Sequence, residues 1–398
     1  MIKLIKERYM QKKLKIGLFI DTFFPMVDGV IMVVDNYARR LSKFCDVTVF
    51  APKGRKEYDD STLPYKVVRC NKRMILPFLD YDLPLPKSDK NFKKALEEAN
   101  LDIVHIHSPF SIGKMGVKYA KKHNIPVVAT LHSQFKQDFK KAVKLRGLTN
   151  IMVATIMRTF NKCDECWAVN SAIAQVFSEY GAKKFPGVQN NGTDMVLFDD
   201  AKQIEALKEK HGVKKDEKVF LFIGRLTVLK NIFFIADSLK ILKDRGFKFK
   251  MFYVGTGTDE EKLKKQINDD GLTDNVVFTG KITDRIEISK YYNMADLFLF
   301  PSLYDASSLV QIEAASQKTP TVFLRGAATA ATVTEDVNGY IAENSVEKFA
   351  DKIEEIFKDE KKYKQICENA YKDLYVSWDK AVEKAYKDYL RVIENKKA

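Results

Sequence analysis

Two successive runs of alternating strand-like and helix-like segments most constrain what this chain can fold into. In the first half, the apolar runs Lys15–Ile20, Asp102–Ile106 and Pro126–Leu131 flank segments with helical spacing, such as Val30–Ser42. A strand followed by a helix, repeated, is the pattern of a parallel sheet with helices on both faces. We therefore expect the first half to form a doubly wound α/β domain.

The same pattern restarts after residues 195–215. Val219–Ile223, Phe249–Val254 and Leu297–Phe300 are strand-like, and Asn231–Asp244 has helical spacing. This repetition predicts a second doubly wound domain. In such folds, ligands bind outside the carboxyl ends of the strands, so we expect a site in the cleft that the two domains face.

Cysteine usage and hydropathy narrow the class of protein. The five cysteines are scattered and odd in number, which argues against a disulfide framework. Cys163 and Cys166 form a CxxC, but it leads into an apolar strand and lacks the second pair that a zinc site needs. The apolar run Leu14–Ile20 is too short for a secretory signal or a membrane span. We expect a cytoplasmic protein without a metal or cofactor.

The charge of the chain is unevenly distributed. Residues 1–200 carry 33 Lys and Arg against 21 Asp and Glu, whereas residues 201–398 carry 34 against 32. Nearly all of the net charge of +14 therefore belongs to the first half. This asymmetry predicts an anionic surface or substrate as the partner of the first domain.

Segment 300–314, Phe-Pro-Ser-Leu-Tyr-Asp-Ala-Ser-Ser-Leu-Val-Gln-Ile-Glu-Ala, is the most informative motif. A strand ends at Phe300, a turn of small residues follows, and a helix is predicted to begin near Ser307. Free N–H groups at a helix start bind phosphate oxygens, so we assign Ser307, Ser308 and Leu309 to donor binding. Glu313, two turns later, can accept hydrogen bonds from ribose hydroxyls.

This segment resembles the Glu-x7-Glu signature of the retaining family 4 glycosyltransferases, which have the GT-B fold. Glu313 matches the second Glu, and Asp305 stands where the first Glu belongs. Ser307 and Ser308 replace the Phe and Gly of the usual motif. The resemblance implies that Asp305 contacts the transferred sugar, through a carboxylate that is one methylene shorter.

Two further segments of the second half resemble the same family. Phe222-Ile-Gly-Arg-Leu-Thr-Val-Leu-Lys-Asn231 is similar to its G-R-L-x-x-x-K-G motif. Arg225 and Lys230 would stabilise the charge that develops on a diphosphate leaving group without a metal. The segment around Gly255 is similar to the V-G-x-G-P motif, which lies beside the donor nucleotide. A dinucleotide-binding reading of this segment is weak, because residue 260 is Glu.

The first half carries a looser resemblance. Phe24–Val30 is similar to the family's P-x-x-G-G-V loop, with Asp28 in place of the first Gly and Gly29 at the second, whose backbone meets the diphosphate. His132 follows a strand directly, where family members often have a His near the transferred sugar. His107 also ends a strand, whereas His105 is expected to pack in the core.

The resemblance completes the predicted architecture: two doubly wound Rossmann-like domains in the GT-B arrangement, with a C-terminal helix that returns to the first domain. We predict an acceptor-side domain over residues 1–200 and a nucleotide-sugar-binding domain over 201–375. Residues 376–398 would form the returning helix, in which Trp378 packs.

The predicted function is transfer of a hexose from a nucleotide-diphosphate sugar, with UDP-sugar favoured, to a membrane lipid, lipid-linked or glycan acceptor in cell-envelope biosynthesis. Segment 135–147 carries five cations among apolar residues, which suits docking on the anionic inner leaflet of a membrane. No nucleic-acid partner is expected. Two alternatives stay open: a non-catalytic glycosyltransferase-like binding or scaffold subunit, and a nucleotide-sugar epimerase with the same fold.

Overall fold

The computed structural model of the protein describes residues 13–75, 82–142, 146–306 and 309–397. Contacts along the chain divide it into two compact units. One unit comprises the described residues of Met1–Asn191 and Trp378–Ala398, and the other comprises those of Gly192–Ser377. We call these the first and second domains. The boundaries predicted at residues 200 and 375 stay predictions.

A parallel sheet forms the centre of the first domain. Its strands in chain order are β1 (Lys15–Phe19), β2 (Asp46–Pro52), β3 (Lys66–Cys70), β6 (Ile103–Ile106), β7 (Val127–Leu131), β8 (Glu165–Ala168) and β9 (Gly187–Val188). They are arranged β3-β2-β1-β6-β7-β8-β9, and each neighbouring pair is parallel. The order reverses between β1 and β6, so a crevice is expected at the carboxyl ends of these two strands.

Helices and one small hairpin complete the first domain. The hairpin pairs β4 (Arg73–Met74) with β5 (Leu83–Pro84) in antiparallel fashion. The helices are α1 (Gly29–Leu41), α2 (Lys90–Glu98), α3 (Ser111–Lys122), α4 (Phe135–Ala142), α5 (Arg146–Phe160), α6 (Ser171–Glu179) and the final helix α14 (Trp378–Lys397). Asn170 caps α6, since its side chain accepts a hydrogen bond from the Ile173 N–H over 2.9 Å.

Helix α14 packs within the first domain, against α1. Trp378 is buried with its ring edge-on to that of Tyr37, and the Tyr389 ring stacks on Trp167 at 5.4 Å between centroids. Arg391 forms a bidentate ion pair with Glu165. The predicted return of the final helix to the first domain is confirmed.

The second domain is built on another parallel sheet. Its strands are β10 (Lys218–Ile223), β11 (Phe249–Val254), β12 (Val276–Gly280), β13 (Leu297–Leu299), β14 (Thr321–Leu324) and β15 (Tyr340–Ala342), arranged β12-β11-β10-β13-β14-β15. Its helices are α7 (Ala201–Lys210), α8 (Ile232–Asp244), α9 (Glu260–Asp269), α10 (Arg285–Met294), α11 (Leu309–Ser316), α12 (Val346–Ile356) and α13 (Glu360–Leu374). The order reverses between β10 and β13, which defines the switch point of this domain.

Continuous apolar strands explain why both sheets are buried. Strand β10 carries Val219, Phe220, Leu221 and Phe222, all at most 1% exposed. Strands covered by helices on both faces show such apolar runs rather than an alternating pattern. The two doubly wound Rossmann-like domains predicted from the sequence are therefore confirmed.

The sequence analysis did not identify strand β3, helices α2 and α13, or the three strands of two residues. The hairpin strands have two residues each, and β9 has two, so none has a periodicity to detect. Within the described residues, helices long and apolar enough to cross a membrane are absent.

Candidate active site

Two loops of the second domain are packed backbone to backbone. Gly255 follows β11 with φ of +137°, and a Cβ at this position would approach the Gly224 carbonyl oxygen to 2.0 Å. The Leu226 N–H donates to the Thr256 carbonyl over 3.1 Å, which closes the contact. Only glycine fits at residue 255, because the backbone of the neighbouring loop fills the side-chain space. This packing fixes the loop that carries Arg225 and Lys230.

The turn that carries Lys230 is fastened to the loop after β13. The Asn231 side-chain amide donates to the Pro301 carbonyl over 3.1 Å, and the Ser302 hydroxyl donates to the Leu229 carbonyl over 3.3 Å. Lys230 Nζ lies 2.5 Å from Asp305 Oδ1, with the two side chains 19% and 16% exposed. The carboxyl ends of β10 and β13 thus hold an ion pair at the switch point, which brings two of the predicted site residues together.

Glu313 is buried within helix α11 and is held by two partners from α10. Its Oε1 accepts a hydrogen bond from Arg285 Nη2 over 2.7 Å, and its Oε2 accepts one from the Tyr292 hydroxyl over 3.2 Å. The residue is 8% exposed, so a surface-helix role does not fit it. Burial and the neighbouring Glu313 carboxylate raise the pKa of Tyr292 well above its ordinary value, which keeps the phenol a donor.

The other predicted donor-binding residues are less constrained. Arg225 is exposed on the loop after β10. Leu309 is the first residue of α11. Ser307 and Ser308 lie outside the described residues, so their predicted roles stay predictions.

Gly29 begins helix α1 of the first domain. Asp28 caps this helix, since its Oδ1 accepts a hydrogen bond from the Ile31 N–H over 2.8 Å. A Cβ at Gly29 would meet nothing within 4 Å. Local packing therefore does not explain the glycine, and its predicted approach to a diphosphate stays a prediction.

His107 and His132 are joined at the carboxyl ends of β6 and β7. His107 Nδ1 lies 3.0 Å from His132 Nε2, and the two rings are nearly parallel at 5.3 Å between centroids. Burial lowers the pKa of His132 to about 3 and that of His107 well below its ordinary value. Both imidazoles are therefore neutral near pH 7.

His105 packs in the core, as predicted. Its Nδ1 bonds the Tyr389 hydroxyl over 2.6 Å, and its Nε2 bonds the Thr130 hydroxyl over 2.7 Å. Both ring nitrogens are thus occupied, and the residue connects strand β6 to the final helix α14.

Asp21 is a buried carboxylate that the sequence analysis did not single out. It accepts hydrogen bonds from the Ser108 hydroxyl over 2.6 Å and from the Ile112 N–H over 2.7 Å. Asp21 thereby caps helix α3 from a distant loop, since the residue before that helix provides no side-chain cap. Burial raises the pKa of Asp21 above its ordinary value despite these bonds. It is structural and joins the loops that follow β1 and β6.

A pocket of about 320 Å³ opens beside this junction in the first domain. The loops after β1 and β2 line it, together with Asp82, and three of its side chains are cationic: Lys53, Arg55 and Lys56. Asp82 is bridged by Arg55 at 2.8 Å and by Arg73 at 3.3 Å. Such a pocket can hold a polar or anionic group.

The arrangement in the second domain suits charge stabilisation. Cations at Arg225 and Lys230 and a carboxylate at Glu313 follow the ends of one parallel sheet. In the part of the chain that the structure describes, clusters of three or more potential metal ligands are absent. Arg285 is the principal residue that sequence reasoning missed. Its only signal was Asp284, which caps α10 through the Ile286 and Glu287 N–H groups.

Comparison with known protein families identifies the chain as a glycosyltransferase. The model described as Glycosyl transferases group 1 matches residues 203–373, and the model described as Glycosyltransferase Family 4 matches residues 27–195. The two matches together span most of both domains, and the chain belongs to the glycosyltransferase family that these two models describe.

Individual relatives agree with this assignment. The chain is 28% identical over 320 residues to an α-monoglucosyldiacylglycerol synthase of Streptococcus pneumoniae, covering 78% of this chain and 70% of the relative. It is 24% identical over 334 residues to a GDP-mannose-dependent α-mannosyltransferase of Corynebacterium glutamicum, covering 83% and 77%. The structure resembles that of Anabaena HepE in complex with UDP, with a TM-score of 0.76 at 17% identity over 95% of this chain and all of that one.

Proposed function

We propose that this glycosyltransferase transfers a hexose from a nucleotide-diphosphate sugar, with a UDP-sugar as the favoured donor, to a membrane lipid or lipid-linked acceptor. We further propose that the transfer retains the anomeric configuration and serves cell-envelope biosynthesis. The single observation that carries the proposal is the Lys230–Asp305 ion pair at the switch point of the second domain, where Asp305 precedes the helix that contains the buried Glu313.

The donor half of the proposal rests on the charges of the second domain. The departing diphosphate gains negative charge, and Lys230 and Arg225 would stabilise it. Glu313 would accept hydrogen bonds from the ribose, because Arg285 and Tyr292 already hold its carboxylate in one orientation. Asp305 would contact the sugar while its charge fixes the Lys230 ammonium.

The acceptor half rests on the first domain. His132 would contact the transferred sugar, and the pocket lined by Lys53, Arg55 and Lys56 would receive the polar head of the acceptor. Arg73 donates to the Lys53 and Gly54 carbonyls over 3.0 and 2.6 Å, so the β4–β5 hairpin is bonded to the rim of the pocket. The hairpin, whose apolar side chains are exposed, thus lies beside a cationic pocket, and this proximity supports an acceptor that is polar at one end and apolar at the other.

Apolar side chains on that hairpin are exposed. Met74, Ile75 and Leu83 are 50%, 66% and 38% exposed, although each is hydrophobic. Exposed apolar side chains beside cations are typical of surfaces that meet a lipid interface. The relative from Streptococcus pneumoniae is named as a synthase of monoglucosyldiacylglycerol, which favours the same class of acceptor.

Docking on an anionic membrane is the remaining part of the proposal. Helix α4 carries Lys136 and Lys140, which line a small surface pocket, and Leu148 and Ile151 of α5 are 42% and 63% exposed. Val153 and Ile156 of the same helix are buried, so α5 packs one face on the core and leaves apolar residues outside. Lys144 lies outside the described residues, and nothing is described of the Lys141 side chain.

A transfer assay with purified protein tests the enzymatic proposal. UDP-glucose, UDP-galactose and GDP-mannose would each be incubated with diacylglycerol in mixed vesicles, and the lipid product would be characterised by NMR. We expect one donor to give a glycolipid with the α configuration of the donor sugar. A β-linked product would overturn retention. If the protein neither hydrolyses nor transfers the sugar of any of the three donors, the non-catalytic alternative is favoured.

Vesicle co-sedimentation tests the membrane proposal separately. We expect binding to vesicles that contain phosphatidylglycerol, weakening with added salt because exposed charges are screened. The Lys136→Glu/Lys140→Glu protein should bind less, whereas Lys214→Glu/Lys215→Glu, which changes two exposed lysines of the second domain, should bind as the native protein does. If the native protein stays in the supernatant at low salt, a soluble glycan acceptor becomes the better proposal.

A further inference from the structure

The contact between His107 and His132 must be made by a single proton. Both imidazoles are neutral, so one ring donates N–H and the other accepts with a lone pair. Two arrangements satisfy the 3.0 Å distance. Either His107 Nδ1 donates to His132 Nε2, or His132 Nε2 donates to His107 Nδ1.

The second nitrogen of His107 decides between them. His107 Nε2 is buried, and it has no hydrogen-bond partner within the described part of the chain. The neighbouring His105 ring, at 4.0 Å between centroids, cannot serve, because Tyr389 and Thr130 occupy both of its nitrogens. If His107 accepted through Nδ1, its proton would lie on Nε2 as a buried N–H without an acceptor. Buried N–H groups without partners are rarer than buried acceptors without partners.

We propose that His107 is a positioning residue that donates its Nδ1–H to His132 Nε2 and so fixes His132 as the Nδ1–H tautomer. The lone pair of His132 Nε2 is then engaged, and the only proton on that ring is at Nδ1. A His ring nitrogen carries its proton according to the hydrogen bond that the other nitrogen makes. His132 is partly exposed directly after β7, so Nδ1–H is the group that it presents to a ligand.

This assignment deepens the proposed function, on which its ligand part rests. A neutral N–H at this position donates to an oxygen of the donor sugar but cannot remove a proton from the acceptor. Because burial opposes protonation of both rings, the donor persists across the neutral pH range. His132 is therefore a hydrogen-bond donor to the sugar, and His107 acts on the reaction through it.

Nitrogen-15 NMR of the histidine side chains reads the tautomer directly. The chain has five histidines, so the protein labelled at histidine gives few signals, and the His132→Gln protein assigns the pair by difference. At neutral pH, we expect a protonated Nδ1 and an unprotonated Nε2 for His132, and the same for His107. A protonated Nε2 on His132, or a charged ring, would overturn the proposal.

Substitutions of His107 test the functional consequence. Asn places its amide near the position of Nδ1 and can still donate, whereas Gln reaches the position of Nε2 and Phe has no donor. We expect kcat/KM to stay within about 3-fold in His107→Asn and to fall about 10- to 100-fold in His107→Gln and His107→Phe, the range that is typical of groups that orient a metal-binding histidine. Equal losses in all three proteins would contradict the positioning role.

The two measurements separate this inference from the proposed function. The NMR signals need no substrate, so the expected tautomer in a protein that transfers no sugar would leave the inference standing and reject the function. Sugar transfer by a protein in which His132 carries its proton on Nε2 would reject the inference and leave the proposed function standing.

Discussion

Replacing Glu313 by Gln should weaken nucleotide binding far more than it weakens the fold. In the native protein, Oε1 accepts from Arg285 and Oε2 accepts from the Tyr292 hydroxyl. Gln can direct its carbonyl oxygen to Arg285 and its amide to the Tyr292 hydroxyl, which rotates to accept. Since Arg285 is half exposed, the lost charge–charge attraction is screened, and we expect a loss of about 1 kcal/mol in the free energy of unfolding.

The substitution should weaken binding of the ribose more than it lowers the stability of the fold. Two hydroxyl donors require two acceptors, and Gln offers one where the carboxylate offers two. A hydrogen bond to a charged group contributes about 1.5–3 kcal/mol, which corresponds to a loss of about 10- to 150-fold in affinity. The change in melting temperature should be only about 2–4 °C.

Calorimetric titration with UDP measures the affinity, and thermal unfolding measures the stability. Glu347→Gln is the matched control, because Glu347 is an exposed residue in the first turn of another helix of the same domain. Glu313→Asp keeps the charge and should bind better than Glu313→Gln. A dissociation constant within about 2-fold of the native value in a folded Glu313→Gln protein would refute the ribose-binding role.

Three further predictions follow from the same contacts. Asp305→Asn should lower turnover about 100-fold, because it leaves the Lys230 ammonium without its counter-charge, while Asp305→Glu should lose much less; equal rates would remove this carboxylate from the reaction. Gly255→Ala should destabilise the second domain strongly and abolish UDP binding, whereas Gly212→Ala, where a Cβ meets nothing, should only show the mild strain of its positive φ. Thermal unfolding with and without UDP compares these two proteins. Acid should also destabilise the first domain, because burial keeps His105 and His107 neutral in the folded protein. In the unfolded chain, the same two histidines take up protons near pH 6.5. Stability is then complete above that pH and is lost as the pH falls, by about 1.4 kcal/mol per histidine between about pH 7.5 and about pH 5.5, and His107→Phe should reduce this loss in denaturant titrations.

The fold could be predicted from the sequence because its signals are local. Strand β11 has the predicted bounds, and helix α8 begins one residue after its predicted start and ends at the predicted residue, since an apolar run or a helical period is contained in the segment itself. The β4–β5 hairpin could not be predicted in this way, because each strand has only two residues and the two strands are not adjacent in the sequence.

Only part of the site could be predicted from the sequence, for a related reason. Lys230 and Asp305 each lie in a recognisable motif, but their ion pair spans 75 residues and depends on the neighbouring positions of β10 and β13. The Asp21 cap on helix α3 spans about 90 residues and has no local pattern. Arg285 could not be predicted as a partner of Glu313 for the same reason, since only the packing of α10 on α11 brings the two side chains together.

The turnover of the Lys230→Ala protein tests the central claim most directly. In a folded protein with the donor sugar that the native enzyme uses, we expect release of the nucleoside diphosphate to slow about 100-fold or more, because the cation opposite the leaving group is lost. Lys240→Ala is the control and should keep the native rate, since Lys240 is a partly exposed residue that pairs with Asp244 on its own helix. Native turnover in Lys230→Ala would contradict the assignment of the second domain's switch point as the site of diphosphate departure.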